Sequence, residues 1–595
     1  MDQGSIQVDV AIVGGGPSGS TAATLLKKYA PELSVLVLEK AKFPRDHVGE
    51  SQLPSIGRIL DEMGVWEDVE RAGFPIKIGA SYTWGRTADR WDFDFYPVED
   101  WVDEPRPAKF TGQRRHTAFQ VDRAEYDMIL LRHAEKMGAE VREETRVTDV
   151  QIEGDRIEGL VLSTGEVVRA RYYIDASGTV GLLRRALGVD VEVPQELKNV
   201  AMWEYWRNAE WAVEIGVGAT RVQVRSLPYG WIWFIPLGPD RTSIGLITPS
   251  EHFKSTGMKP EDLYEQALSE QKEIAALIKG AKPEGKFQAT KDWSQLSDRL
   301  IGENWFLVGE AAGFADPILA AGMSLAHSSS REAAYTILEL ERGEHDASWL
   351  KQRYDTRNRT NIEQHIRFAQ YWYAANGQFS DLQEHCQRIA KEAGMRLAPQ
   401  QAWAWLSQGG FTTESVGVTT VGSFDIASAK QVIERFDQQG RGMKMQIHGK
   451  NIFKLNLHNC KEDVIGLLEN GRIQRIPCYV RGESKLPRTG NYGVVTSILE
   501  KTSDGRQIFG EFARLAQSQG AHASSVLAAL TQALEAMVSE YWVLASTDKS
   551  KPKLIADLSD SRYVRDHRRG DAALESLSSK FHVVNRLPTG DHAAE

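Results

Sequence analysis

The stretch VDVAIVGGGPSG, residues 8–19, constrains the fold of this chain more than any other. An apolar strand ends in a glycine turn. A helix, SGSTAATLLKKYA, begins at once, and a second strand, SVLVLEK, follows it. Gly14, Gly16 and Gly19 stand in G-x-G-x-x-G spacing, with Pro17 and Ser18 between the last two. In such a turn the first glycine allows the tight bend, the second lets a pyrophosphate approach the backbone, and the third lets helix and strand pack closely. The free amides of the helix start then meet the phosphates. Glu39 lies 20 residues beyond Gly19, at the end of the second strand, where an acid takes ribose hydroxyls, and Lys40 follows it. The spacing predicts an α/β fold that binds a dinucleotide.

With 595 residues the chain is too long for a single core and divides into two or three domains. Short β-branched stretches over 150–175 read as a meander that returns to the nucleotide fold. Strong alternation through RVQVRSLPYGWIWFIPLGPDRTSIGLI marks an inserted antiparallel sheet, about 195–295. Residues 302–345 return to strand, glycine loop and long helix. The expected division is 1–375 and 376–595, the latter mainly helical with a wing-like stretch, CYVRGESKLPRTGNYGVV. A net charge of −10 provides no field that draws the chain to nucleic acid. No apolar run approaches the ~20 residues of a membrane span, and the start lacks a basic, cleavable leader. Cytoplasm is the expected location. Cys386, Cys460 and Cys478 share no metal-ligand spacing, and no metal site is expected.

Three segments carry a family resemblance. ENWFLVGEAAGFADPILAAG resembles the second FAD segment of glutathione-reductase-like flavoproteins, with Gly309-Glu310 where that motif has Gly-Asp; the acid would hold the ribityl chain. FPRDHVGESQLP and FQVDRAEYDMILLRHA are similar to segments of flavin monooxygenases, which makes Arg123 a candidate cofactor contact; Arg45 reads equally as an exposed arginine. Trp231, Trp233, Ile235 and Pro236 match the W-x-W-x-I-P signature of flavin-dependent halogenases, the tryptophan halogenase-like superfamily. By itself, a period-2 pair of indoles fills one face of a sheet. The resemblance implies a second role, a wall that keeps substrate from the flavin.

The same resemblance, over residues 5–375, extends to AGFPIKIGASYTWG, where Lys77 takes the place of the family's halogen-delivering lysine. It implies hypohalous acid made at reduced flavin from O2 and halide, and delivered by Lys77 to an electron-rich ring. The family's F-x-x-P-x-x-S-x-G pattern reads Phe314, Pro317, Ala320, Gly322 here, with alanine in place of serine. Pro317 and Gly322 would border the flavin, and the amides of Ala321 and Gly322 would hold the halide. Leu319 stands where the tryptophan-specific branch has glutamate. That difference moves the expected substrate from free tryptophan towards a phenol, pyrrole or other indole, free or bound to a carrier protein.

The resemblance thus implies a glutathione-reductase-like, Rossmann-type FAD fold with an inserted antiparallel sheet and a mainly α-helical C-terminal domain. It implies an FADH2-dependent chlorinase or brominase supplied by a separate flavin reductase. A flavin-dependent aromatic hydroxylase and a geranylgeranyl reductase-like flavoprotein are the alternatives.

Overall fold

A computed structural model describes residues 5–96, 98–211, 219–291, 293–392, 426–437, 444–482, 484–520, 523–554 and 564–566. Two compact units divide the chain: Met1–Ala369 with Gly377–Cys386 and Arg565–Glu595, and Gln370–Asn376 with Gln387–Val564.

In the first unit, strand Ser5–Val13 pairs in parallel with Val35–Leu38 on one side and Val167–Asp175 on the other. Both neighbours and the packed faces bury its end, so VAIV reads as a continuous apolar run. The sheet continues outward through Glu140–Arg142 beyond Val35–Leu38, and through the antiparallel strands Arg156–Leu162 and Val147–Glu153 beyond Val167–Asp175. Strand Trp305–Leu307 joins Val167–Asp175 in parallel at its C-terminal end, Leu307 opposite Asp175. The chain therefore leaves this sheet after Asp175, builds other structure, and returns beside the same strand. The meander and the return near residue 302 lie where the sequence places them.

A second sheet runs in the order Lys282–Pro283, Asn199–Arg207, Arg241–Pro249, Gly230–Pro236, Ala219–Leu227, Ile76–Thr83, Arg90–Asp94. It extends beyond the 195–295 insert, because Ile76–Thr83 and Arg90–Asp94 join it from the earlier chain. It is also not wholly antiparallel: Ala219–Leu227 runs parallel to Ile76–Thr83, with an irregularity between Thr220 and Arg221. Ile76–Thr83 is buried along its whole length, so it shows no alternation from which its partners could be read. One face of the sheet presents Met202, Ile232, Phe234, Ile244 and Leu246 to Leu263, Tyr264, Ala267 and Ile274. Those residues belong to helices Pro260–Glu270 and Lys272–Leu277. The opposite face presents the period-2 partners Trp203, Trp231 and Trp233.

A short antiparallel ladder, Val191–Glu192, Gln295–Ser297 and Gly313–Phe314, places the segment that leads into helix Gly322–Arg342. That helix meets Pro17–Tyr29 through a hydrogen bond between Thr21 Oγ1 and His327 Nδ1, 2.8 Å.

The second unit contains helices Ile426–Phe436, Gly490–Leu499, Gly505–Gln517 and Ala523–Ser539. It also contains an antiparallel sheet of Lys461–Glu469, Arg472–Arg481 and Ser484–Pro487. The wing-like stretch is the last hairpin of that sheet, followed by a helix. Tyr371 and Trp372 pack on Phe436, with ring centroids 5.9 and 4.8 Å apart. Trp403 and Trp405 lie outside the described residues.

Candidate functional site

The glycine loop is built as its spacing predicts. Gly14 has φ +108°, and a Cβ there would lie 2.3 Å from the Ala176 carbonyl oxygen; one at Gly19 would lie 1.9 Å from the Gly14 oxygen. At Gly16 the nearest atom to such a Cβ is Arg45 Nη2 at 3.4 Å, so the backbone there is open to a phosphate with a cation beside it. Pro17 begins the helix and Gly16 caps it without a side-chain hydrogen bond, which leaves first-turn amides for an anion. Glu39 Oε2 accepts from Gly15 N at 2.7 Å and Oε1 from Ala41 N at 2.8 Å, which fixes the carboxylate at the strand end. Lys40 is exposed.

The second FAD-like segment meets the first. Gly309 has φ +57°, and a Cβ there would stand 2.4 Å from Ser18 Oγ. Glu310 Oε2 lies 3.6 Å from the corresponding position at Gly178. Burial pushes the Glu310 carboxyl up and the Arg123 charge draws it down. Arg123 itself is committed elsewhere: Nε and Nη2 reach Asp127 at 2.7 and 2.9 Å, and Nη1 donates to the carbonyls of Val48 and Gly49. Arg123 therefore anchors the 43–50 segment to Asp127, which Arg45 Nη1 also approaches at 3.4 Å, while Arg45 Nη2 faces the glycine loop at Gly16.

Residues 49–55 run between the two other predicted centres. Lys77 is 1% exposed. Its Nζ donates to Gln52 O at 2.8 Å and lies 5.3 Å from the Phe95 ring centre. Burial brings its ammonium down to about 7. Gln52 Nε2 faces Met323 Sδ at 4.0 Å, and Ser55 hydrogen-bonds Ser324. One segment thus touches both the lysine and the start of helix Gly322–Arg342. Glu50, wholly buried, accepts from Tyr205 Oη and Gly49 N, both at 3.0 Å, and burial pushes its carboxyl up. Sequence reasoning did not single out Glu50, Gln52, Tyr205 or Asp127. Glu50 and Gln52 sit inside a quoted motif, and Asp127 stands four residues after Arg123; Tyr205 gave no signal, because only the sheet brings it to the loop.

Trp231 and Trp233 share a face, with ring centres 6.2 Å apart. The Trp233 indole donates to Ser243 Oγ at 3.1 Å and lies over Gly245, where a Cβ would be 2.2 Å from the ring. Trp203 and Trp84 extend the row, 6.5 Å from Trp233 and 6.3 Å from Trp231. The pair are 2% and 7% exposed, so they form an aromatic wall built into the sheet.

At the halide-like segment, Asp316 Oδ1 accepts from Ile318 N at 3.0 Å and Pro317–Leu319 make one 3-10 turn. Ala320 then takes φ +53°, a left-handed conformation that disfavours side chains. Ala321 caps the following helix, and Gly322 leaves room for the Phe314 ring, 2.7 Å from where its Cβ would be. His327, near this segment, is held by Thr21 and Tyr126 and stays neutral, brought down to about 3 by burial. Among the described residues, no group of three or more His, Cys, Asp or Glu side chains is placed to hold a metal ion. Nor is any described helix long and apolar enough to cross a membrane.

Comparison with known proteins shows the family. The family model for tryptophan halogenase matches residues 9–104 and 102–392. A tryptophan 2-halogenase of Chondromyces crocatus is 36% identical over 345 residues, which are 57% of this chain and 62% of that one. A 1H-pyrrole-2-carbonyl-[peptidyl-carrier protein] chlorinase of Pseudomonas fluorescens is 31% identical over 382 residues, 62% of this chain and 84% of that one. The chain thus spans less than two thirds of the length of the first of these relatives. The myxobacterial chondrochloren halogenase CndH superposes with TM-score 0.59 at 28% identity, over 67% of this chain and 91% of that one. The flavin-dependent halogenase CmlS shares the fold over 93% of this chain and 98% of that one, with TM-score 0.67 at 23% identity. By a family match that runs through residues 9–392, from the glycine loop past the paired tryptophans, the chain belongs to the tryptophan halogenase family.

Proposed function

We propose that this protein is an FADH2-dependent halogenase that places chlorine or bromine on an electron-rich aromatic ring. Lys77 carries the reading: a wholly buried lysine with a single carbonyl acceptor and an ammonium brought down to about 7 is poised to donate to, or react with, a small polar electrophile. The first sheet is read as a glutathione-reductase-like dinucleotide fold, supported by its order of Val35–Leu38, Ser5–Val13, Val167–Asp175 and Trp305–Leu307. Gly14, Gly16, Pro17, Ser18 and Gly19 form a cradle that fits a pyrophosphate. Glu39 would take the ribose, Arg45 the phosphate charge, and Gly309 and Glu310 the ribityl side.

Reduced flavin bound there would supply two electrons to O2, and the oxidant so formed would take two more from halide to give hypohalous acid, oxidised flavin and water. The amides of Ala321 and Gly322, next to Pro317, hold halide at the helix start. Trp231 and Trp233 close one side to the ring substrate. Lys77 orients the hypohalous acid by hydrogen-bonding its oxygen. The ring carbon takes the halogen, and the oxygen leaves as water with the proton that the ring gives up.

The substrate is read as a phenol, pyrrole or indole, free or carrier-bound, since Leu319 and Ala320 replace the polar pair of the tryptophan-specific branch. A relative acts on a pyrrole held by a peptidyl carrier protein, which supports a tethered substrate here. A separate flavin reductase is the proposed source of FADH2. The test is mass spectrometry of products from FADH2, O2 and bromide with a panel of phenols and pyrroles, free and carrier-bound. A bromine isotope pattern is expected, and hydroxylated product with no brominated product would sink the reading.

A further inference from the structure

Gln120 is wholly buried, and neither Oε1 nor Nε2 of its side chain meets a hydrogen-bond partner among the described residues. Ser51 Oγ, also out of solvent, has none either. Buried amides are almost always paired, so a fully orphaned one calls for an explanation. The two residues sit directly opposite each other in an antiparallel bridge, Ser51 with Gln120. The bridge is continued by Gln52 N to Phe119 O at 3.1 Å and Val121 N to Glu50 O at 2.9 Å.

Both belong to the immediate surroundings of Lys77. Lys77 stands opposite Ala118, which is two residues before Gln120 and so shares its strand face. Gln120 N donates to Pro75 O at 2.9 Å, which continues the same ladder. That makes Gln120 the diagonal neighbour of Lys77, within reach for long side chains. From the other side, the Lys77 Nζ donates to Gln52 O, one residue from Ser51. The ammonium has two further hydrogens. The register therefore places lysine, carboxamide and hydroxyl on one face of three neighbouring segments.

The unmet groups are one acceptor, Oε1, the two N–H donors of Nε2, and one hydroxyl that can act either way. Hypohalous acid is a triatomic molecule with one O–H donor and an oxygen acceptor. It satisfies the carboxamide in both senses, and its oxygen can still take a hydrogen from Lys77. Glu50, the nearby carboxyl, is already occupied by Tyr205 and Gly49. Leu319 and Ala320 stand in place of a polar pair, and Gln120 and Ser51 are, among the described residues, buried polar groups without a partner on the strands beside the lysine.

We propose that Gln120, assisted by Ser51, is a positioning residue that holds hypohalous acid against Lys77 and keeps it from escaping before it meets the ring. This rests on the halogenase reading above. The test uses the full-length protein with reduced FAD, O2, bromide and a phenol or pyrrole that the wild type brominates. Monochlorodimedone is added to trap free hypobromous acid. Gln120→Met keeps the shape and removes both polar atoms. The expected result is a melting temperature equal to or above that of the wild type, since an unpaired buried amide is removed. The ratio of product to trapped hypobromous acid should fall about ten-fold, with Ser51→Ala giving a smaller fall in the same direction. An unchanged ratio overturns the proposal, as does a fall in melting temperature, which would make Gln120 a structural residue. A wild type that yields neither brominated product nor trapped hypobromous acid overturns the halogenase reading and this inference with it; failure of the inference alone shows only in the variants.

Discussion

Lys77 is the side chain on which the proposed chemistry turns, and its burial has a thermodynamic signature. Unfolded, the lysine holds its proton to about 10.5; folded, only to about 7. Between those values the unfolded chain binds a proton that the folded chain does not, so stability rises with pH across that window. Below about 7 both states are charged and the cost of burying the ammonium is fully present, about 1.4 kcal/mol for each pH unit of depression. Lys77→Met is therefore expected to raise the melting temperature at pH 6–7, by an amount that shrinks as the pH approaches 10, while halogenated product is lost. Thermal melts across pH, with product analysis, check both halves. The glycine cradle makes a second prediction at this scale. Gly14→Ala combines a positive φ with a carbonyl 2.3 Å from the new methyl, a backbone strain of about 1–3 kcal/mol or more. The variant should lose bound flavin on gel filtration, read from its visible absorbance.

At the scale of elements, strand Gly230–Pro236 shows how one run of sequence serves two faces. Ile232 and Phe234 fill the core against two helices, while Trp231 and Trp233 stand on the opposite side. The wall depends on a residue with no side chain: Gly245, opposite Trp233 in the register, leaves the space the indole occupies. Gly245→Ala should cost about 1–3 kcal/mol through overpacking. It should also shift Trp233 fluorescence, because the ring must move off the sheet; urea unfolding followed by emission tests this. The segment 49–55 is the other decisive element. It was legible as a motif but not as a bridge, since its contacts with Lys77, Tyr205 and Met323 join residues far apart in the chain.

At the scale of the whole molecule, two compact units each carry their own core. In the second, Lys430 and Glu535 form a wholly buried ion pair, and Glu535 also accepts from Gln446 N and Ile447 N. Removing one member of such a pair leaves an uncompensated charge and costs about 3–5 kcal/mol. Glu535→Leu should lower one calorimetric transition by that amount and leave the transition that responds to flavin unmoved. The sequence alone determined the glycine loop, the meander, the return near residue 302 and the tryptophan signature. Each rests on local spacing: a turn that needs glycine, a strand period of two, a helix that begins where the loop ends. Tertiary structure decided what spacing cannot express. It brought Ile76–Thr83 into the second sheet beside Ala219–Leu227, and it gathered Arg123 and Arg45 on Asp127 with Arg45 Nη2 towards the glycine loop. It also set Gln120 and Ser51 beside Lys77. Those outcomes depend on which distant strands exclude water together, and burial of that kind is a property of the packed molecule.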